Sequence, residues 1–411
     1  MQSYAPGPNT DIPEALVQLK RLVWERPDLQ LGIAGIDADG GFSEAVAQIA
    51  RAQGLELDAE AVRRAVWPDP LGLSRWFDGP GETDIRGWPG PEWLPMHLNV
   101  RTAELTVDWI HFAGRRLTEP FYEESVQRAV SRPFNRLFRI RMPLSQFLAG
   151  PEARSQPAPD GLVFHMSRCG STLVAQMLAA VPANVVVSEA SPLDAMVQLF
   201  GGQNTEAAAA GLRAMAAALG RRPQSEGRGR FLKLDSWHTL ALPLFRRAFP
   251  DTPWVFLYRD PLEVMASQMT QRGLQTVHGA MDPRIFGIDG AETMPGEAYC
   301  AEVLERTCRA AADGLSLGGG LLVNYCELPD ALWTRMLPHF GEHPGEEELR
   351  MMRAAAGRDA KTPYEAFTPD GEAKRAGAGA TVREITAERL APVYAELEAA
   401  RLGSPSPRQA Q

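Results

Sequence analysis

The sequence predicts an α/β fold: a P-loop-like three-layer domain around a central parallel sheet, preceded by a small helical unit and a mixed connector. Three observations carry this expectation. From residue 161 onward, short apolar runs alternate with helix-like stretches, the pattern of strand–helix–strand units. The first run, Leu162-Val163-Phe164, leads into the small, polar and basic loop Ser167-Arg168-Cys169-Gly170-Ser171-Thr172 and then into an apolar helix from Leu173. Before it, residues 150–160 are rich in Pro, Gly, Ser and Ala, which marks a domain boundary.

The chain has 411 residues, enough for two or three domains. Charged residues make up 23% and hydrophobic ones 45%, an ordinary balance with material for a sizeable core. A net charge of −9, with no long Lys/Arg block, argues against a general nucleic-acid binder, so an anionic ligand must be met by local basic groups. No apolar run reaches the length of a membrane span, and residues 1–10 lack the basic-then-apolar pattern of a secretory signal; the expected location is the cytoplasm. Cys169, Cys300, Cys308 and Cys326 have no paired zinc-like spacing and read as reduced thiols, with Cys300 and Cys308 able to share one helix.

Residues 1–66 read as a small helical domain. Ile12, Leu16, Leu19 and Val23 fall on one helical face, residues 42–53 make a second helix stopped by Gly54, and Asp58 can cap a third through Val66. Residues 67–150 read as a Trp/Pro-rich connector or substrate-side region. Trp67, Trp76 and Trp88 predict an ordered wrap, because buried aromatics supply large contact area. Within 96–148 the core-like pieces are 107–110 and 136–141. Arg132, Arg136, Arg139 and Arg141 read as a solvated face, with lining of an acceptor or cofactor entrance as the alternative. Residues 151–411 form the α/β domain. Its strands are expected at 161–165, 184–188, 229–234, 253–258 and 320–325, with Ala-rich 205–219 the clearest helix and 381–400 the last.

In an open parallel sheet, ligands sit at the carboxyl ends of the strands. There the sequence places the 167–172 loop, then Glu189, then Lys233, Asp235 and His238, then Arg259, with Ser267 on the helix that Pro261 opens. The loop differs from the nucleotide-triphosphatase pattern, in which four residues separate two glycines and Lys-Ser/Thr follows. Here the cation, Arg168, precedes Gly170, which suits one phosphate held by backbone N–H groups, Arg168, Ser171 and Thr172. Cys169 reads as packing, with reactivity as the alternative. Asp260 and Glu263 read as helix N-terminal charges favoured by the dipole.

Residues 168–173, Arg-Cys-Gly-Ser-Thr-Leu, resemble the Arg-Ser-Gly-Ser/Thr-Thr-Leu motif of bacterial sulfotransferases that use 3′-phosphoadenosine-5′-phosphosulfate, with Cys169 in place of Ser. Arg259-Asp260-Pro261 with Ser267 eight residues after the Arg keeps the spacing of that family's second motif. The resemblance covers roughly 160–400. It implies a metal-independent transferase whose product is adenosine 3′,5′-bisphosphate. Arg168, Cys169, Gly170, Ser171 and Thr172 would hold the 5′ end, and Arg259 and Ser267 the 3′-phosphate. Residues 367–379 resemble the family's late loop over that phosphate, which makes Lys374 and Arg375 candidate contacts; an exposed hinge is the alternative. Residues 11–66 resemble the helical leader domain of nitrogen-fixation and nitrile-hydratase-type peptides, through Asp28-Leu29-Gln30, residues 47–54 and Leu57-Asp58-Ala59-Glu60. In that family the unit is a recognition handle; a plain helical cap is the alternative.

The chemistry then needs a base for an acceptor hydroxyl or amine. Glu189 is the first candidate, Asp235 the second and His238 the third, with Lys233 and Arg168 stabilising charge on the transferred group. Two rivals stand beside this expectation: a P-loop-type phosphotransferase, and a non-catalytic peptide-binding scaffold. The acceptor is not legible, though a leader-like unit raises a peptide.

Overall fold

Backbone hydrogen bonding sorts the strands into two separate sheets, one antiparallel and one parallel. The structure is a computed structural model, and it describes residues 13–36, 41–66, 87–100, 104–155, 157–200, 202–221, 229–360 and 371–403. The chain divides into two units, residues 1–116 with 124–152, and residues 117–123 with 153–411.

The first unit holds the helices Glu14–Glu25, Pro27–Ala34, Phe42–Ala52 and Ala59–Ala65. Leu16, Leu19 and Val23 are buried along one face of the first, as their spacing requires; Ile12 lies outside the described residues. The Asp58 side chain accepts from the Ala61 N–H, which fixes the start of the fourth helix. Strands β1 (Trp93–Asn99), β2 (Thr106–His111) and β3 (Ile140–Pro143) form an antiparallel meander. The Trp93 indole donates to Gln30 Oε1 at 2.9 Å, tying helix to sheet. Trp88 is buried, stacks on Phe147 at 5.0 Å and donates to its carbonyl; Trp67 and Trp76 lie outside the described residues. The four arginines do not form the solvated face expected of them. All are half-buried, and Arg141 grips Asp108 through two hydrogen bonds of 2.7 and 2.9 Å. The short strand Ile140–Pro143 buries every second side chain, and the helix Pro133–Leu137 buries Pro133, Phe134, Asn135 and Leu137, which draws the arginines against the core.

In the second unit, β4 (Gly161–His165), β5 (Val185–Ser188), β6 (Arg230–Lys233), β7 (Trp254–Tyr258) and β8 (Gly320–Asn324) form a five-stranded sheet in the order β5-β6-β4-β7-β8. Every pairing is parallel. These strands are near-continuous apolar runs because helices cover both faces. On one face Phe164 and Trp254 meet at 6.0 Å, and Phe164 packs edge-on against Phe245 of the helix Leu242–Ala248. On the other, Phe231 packs against Phe340 at 5.5 Å, and a Cβ at Gly161 would collide with the same ring. Cys300 and Cys308 share the buried side of the helix Gly296–Gly314, and all four cysteines are free thiols. Among the described residues, no helix is long and apolar enough to cross a membrane.

Candidate active site

A parallel sheet delivers every strand's carboxyl end to one edge, and the second unit carries a cleft of about 370 Å³ there. His165, Ser167–Leu173, Glu189, Asp235, Arg259 and Tyr325 line it: His165 ends β4, Ser167–Leu173 follow it, and the others stand just beyond the remaining strands.

The loop after β4 is wound tightly. Ser167, Arg168 and Gly170 have φ of +73°, +53° and +87°, and the helix Ser171–Ala179 starts at once. Such turns aim backbone N–H groups at an anion, and the helix N-terminus adds its dipole. Left-handed backbone at non-glycine residues costs about 1–2 kcal/mol each, so the surroundings must enforce it. They do so through buried hydrogen bonds. The Ser167 N–H donates to His165 Nδ1 at 3.1 Å, which leaves the proton on Nε2 to bond the Leu234 carbonyl at 2.9 Å. Gln268 Nε2 donates to Ser167 Oγ at 3.2 Å. At Gly170 a Cβ would stand 2.8 Å from the Tyr325 ring, so only glycine fits there.

Cys169 points the other way. Its thiol is fully buried and bonds the Leu257 carbonyl at 3.1 Å, and burial pushes its pKa up to about 12. That is a packing role; Cys169 can serve an anion through its backbone alone.

The two sequence motifs meet in space. Arg168 Nε donates to Ser267 Oγ at 2.9 Å, although 99 residues separate them. Beside them Arg259 is buried, stacks on the Tyr325 ring at 4.1 Å and donates from Nε to Glu263 Oε2 at 2.6 Å. Asp260 caps the helix Pro261–Thr270, as its position implies. Glu263 lies in the first turn of that helix, as expected, and has a second role. It is buried one helical turn beyond Arg259 and carries two cations, Arg259 and Arg375. The helix Gly371–Gly377 thus arrives at the same place: Arg375 pairs with Glu263, and Lys374 lines the cleft. Residues 367–370 of the late loop lie outside the described residues.

At the far side of the cleft the charges reverse. Lys233 is buried, pairs with Glu189 Oε1 and lies 4.8 Å from the Phe121 ring centroid. Glu189 itself takes φ +50° and approaches His165 Nε2 at 3.4 Å. Burial alone would raise its pKa; the Lys233 charge and the His165 hydrogen bond outweigh that and hold it well below the usual carboxylate range. Asp235 differs. Its side chain is 27% exposed, and the ionisable group beside it, His238 Nε2, stands at 3.8 Å, beyond hydrogen-bond reach. Burial pushes its pKa up to about 7; His238 and Lys233 pull it down, while Glu189 and Asp194 push it further up. His238 is buried and bonds Asp194 Oδ1 at 3.0 Å. Ligand atoms of Asp194, Asp235 and His238 lie within 4.8 Å of one another, a spacing a cation could use. Asp194, however, already takes hydrogen bonds from Trp237, His238 and Gln198.

Several lining residues escape a reading of the sequence. Phe121 comes from the strap 117–123, where the Thr118 carbonyl accepts from Gln176 and Glu123 accepts from Ser191. No local pattern marks it. Gln275 Nε2 donates to Ser236 Oγ at 2.8 Å, and both line the cleft with Leu274 and Arg358. Tyr325 had a signal, since it directly follows β8 at the sheet's carboxyl edge.

No protein-family model and no curated protein matches the chain, and the leader-type resemblance of residues 11–66 finds no support. Among solved structures, the chain is similar to sulfotransferase STF9 from Mycobacterium avium, at 14% identity and a TM-score of 0.41, over 62% of this chain and 80% of that one. It is similar to the sulfotransferase domain of the Synechococcus PCC 7002 olefin synthase at 19% identity and a TM-score of 0.36, over 61% and 97%. A sulfotransferase from Alicyclobacillus acidocaldarius gives 14% and 0.36, over 61% and 98%.

Proposed function

We propose that the chain is a sulfotransferase that moves a sulfuryl group from 3′-phosphoadenosine-5′-phosphosulfate to a hydroxyl or amine acceptor, with adenosine 3′,5′-bisphosphate as product. The observation that carries this reading is the Arg168–Ser267 contact of 2.9 Å. It joins a tight anion-binding loop to a second cationic pole, Arg259 with Ser267, in one cleft. A donor with phosphate at both its 5′ and 3′ positions needs two such poles; AMP needs one.

In this reading the loop N–H groups, Arg168, Ser171 and Thr172 hold the 5′-phosphosulfate. Arg259 and the Ser267 hydroxyl hold the 3′-phosphate, with Lys374 and Arg375 beside them. Lys233 and Arg168 balance charge that gathers on the bridging oxygen as the sulfur–oxygen bond to the 5′-phosphate breaks. The acceptor's lone pair forms the new bond to sulfur, the bisphosphate leaves with the old bonding pair, and the acceptor's proton passes to a carboxylate.

Asp235 takes that proton. Glu189, the first candidate from the sequence, is committed to Lys233 and His165, and a carboxylate stabilised in its charged form is a weak base. Asp235 lines the cleft and accepts no side-chain hydrogen bond among the described residues. Its raised pKa suits proton transfer near neutrality.

The test is Arg259→Ala. Binding of adenosine 3′,5′-bisphosphate should weaken by about 10-fold or more, in keeping with loss of a charge-assisted hydrogen bond, while AMP binding changes little. Equal losses for both ligands would remove the 3′-phosphate assignment.

A further inference from the structure

Asp194 and His238 remain outside the chemistry proposed above, yet they pack directly behind Asp235. The turn Ser236–Ala241 leaves β6 with Asp235 at its head, and its backbone is closed by the His238 N–H donating to the Asp235 carbonyl at 3.0 Å. Two side chains of that turn reach one oxygen: Trp237 Nε1 and His238 Nε2 each lie 3.0 Å from Asp194 Oδ1. Asp194 sits on the helix Ser191–Phe200, and Gln198, one turn along, donates to its Oδ2 at 2.7 Å. The proton on His238 Nε2 belongs to the Asp194 bond, because Asp235 Oδ2 is 0.8 Å farther away, at 3.8 Å against 3.0 Å. Asp235 is therefore held in place by its backbone, while its carboxylate accepts no side-chain hydrogen bond among the described residues.

We infer that Asp194 is a positioning residue for Asp235: it anchors the turn that presents Asp235 to the cleft and sets a carboxylate within 4.8 Å behind it. The groups facing Asp235 support this from every side. Glu189 beyond β5 and Asp194 on its helix are negative; Lys233 at the end of β6 is positive but paired with Glu189; His238 is bonded away from it. Burial does most to hold a proton on Asp235, and the negative charges of Glu189 and Asp194 add to it against the pull of His238 and Lys233.

The inference rests on the sulfotransferase reading only for the use made of the proton, and its test needs neither donor nor acceptor. In the full chain, aspartates labelled with ¹³C at the carboxyl carbon are titrated by NMR, and the Asp235 signal is identified by its loss in Asp235→Asn. The wild type should titrate near pH 7. Asp194→Asn keeps an oxygen for Trp237 and His238 but removes the charge. The Asp235 midpoint should then fall by about one pH unit with the melting temperature nearly unchanged. Asp194→Glu should restore the midpoint, and Asp194→Ser gives the same reading as Asn if the Asn variant fails to fold. An unmoved midpoint in both neutral variants, or a wild-type midpoint near pH 4, would overturn the inference. Failure to bind the bisphosphate would instead strike the donor assignment and leave this titration intact.

Discussion

Replacing Asp235 by Asn should stabilise the protein at pH 8 and do so less and less as the pH falls. The side chain sits in the cleft with no donor among the described residues within hydrogen-bond reach, so the neutral amide fits without losing a contact. The native pKa of about 7 stands above the ordinary value of 3.8. Between those pH values the native state holds a proton that the unfolded chain has released, so rising pH removes stability across that window. Above pH 7 the whole penalty is present. About three pKa units correspond to roughly 4 kcal/mol, and solvent at the 27% exposed side chain screens part of it, leaving about 2–4 kcal/mol. For a unit of this size that is a rise in melting temperature of about 5 °C or more at pH 8. Below pH 4 both states of the wild type are protonated and the advantage vanishes. Thermal unfolding of both proteins at pH 4, 6 and 8 makes the comparison. A difference between variant and wild type that is flat with pH would refute the reasoning, because it would mean that Asp235 titrates at an ordinary value. If Asp235 is the base, the stabilised variant is also the inactive one.

Gly170→Ala combines left-handed backbone at φ +87° with a Cβ only 2.8 Å from Tyr325 and 3.0 Å from Leu328. The cost should be about 2–4 kcal/mol, with bisphosphate affinity falling as the ring is pushed off Arg259; denaturant melts and calorimetry check both. Lys233→Met strands Glu189 without its cation and should cost about 3 kcal/mol at pH 7. Glu189's pKa is depressed in the native state, so the ion pair contributes fully above its ordinary value of 4.5 and is lost as pH falls below it. The deficit of the variant should therefore shrink in acid, and adding Glu189→Gln should recover most of it.

The strands were legible because each is a short apolar run stopped by polar residues. Runs expected at 161–165, 184–188 and 253–258 appear within one residue, as Gly161–His165, Val185–Ser188 and Trp254–Tyr258. Arg259 and Ser267 were legible as a pair because a helix beginning at Pro261 brings a hydroxyl two turns later to the same sheet edge. What could not be read was partnership across long separations. Glu263 looks like any acidic residue in a first turn until Arg375, 112 residues away, arrives on it. Glu189 looks like a free base until Lys233 claims it. Phe121 reaches the cleft because a seven-residue strap packs with the second unit, and nothing in its local sequence requires that. Charge type and spacing are local properties, whereas the pKa of a carboxylate depends on every neighbour the fold supplies.

The most direct test of the central claim is calorimetric titration of the wild-type protein with adenosine 3′,5′-bisphosphate, AMP and ATP with magnesium. Two cationic poles in one cleft predict a clear preference for the bisphosphate, by about 10-fold or more over AMP. A preference for ATP with magnesium, or no binding of the bisphosphate, would contradict the account.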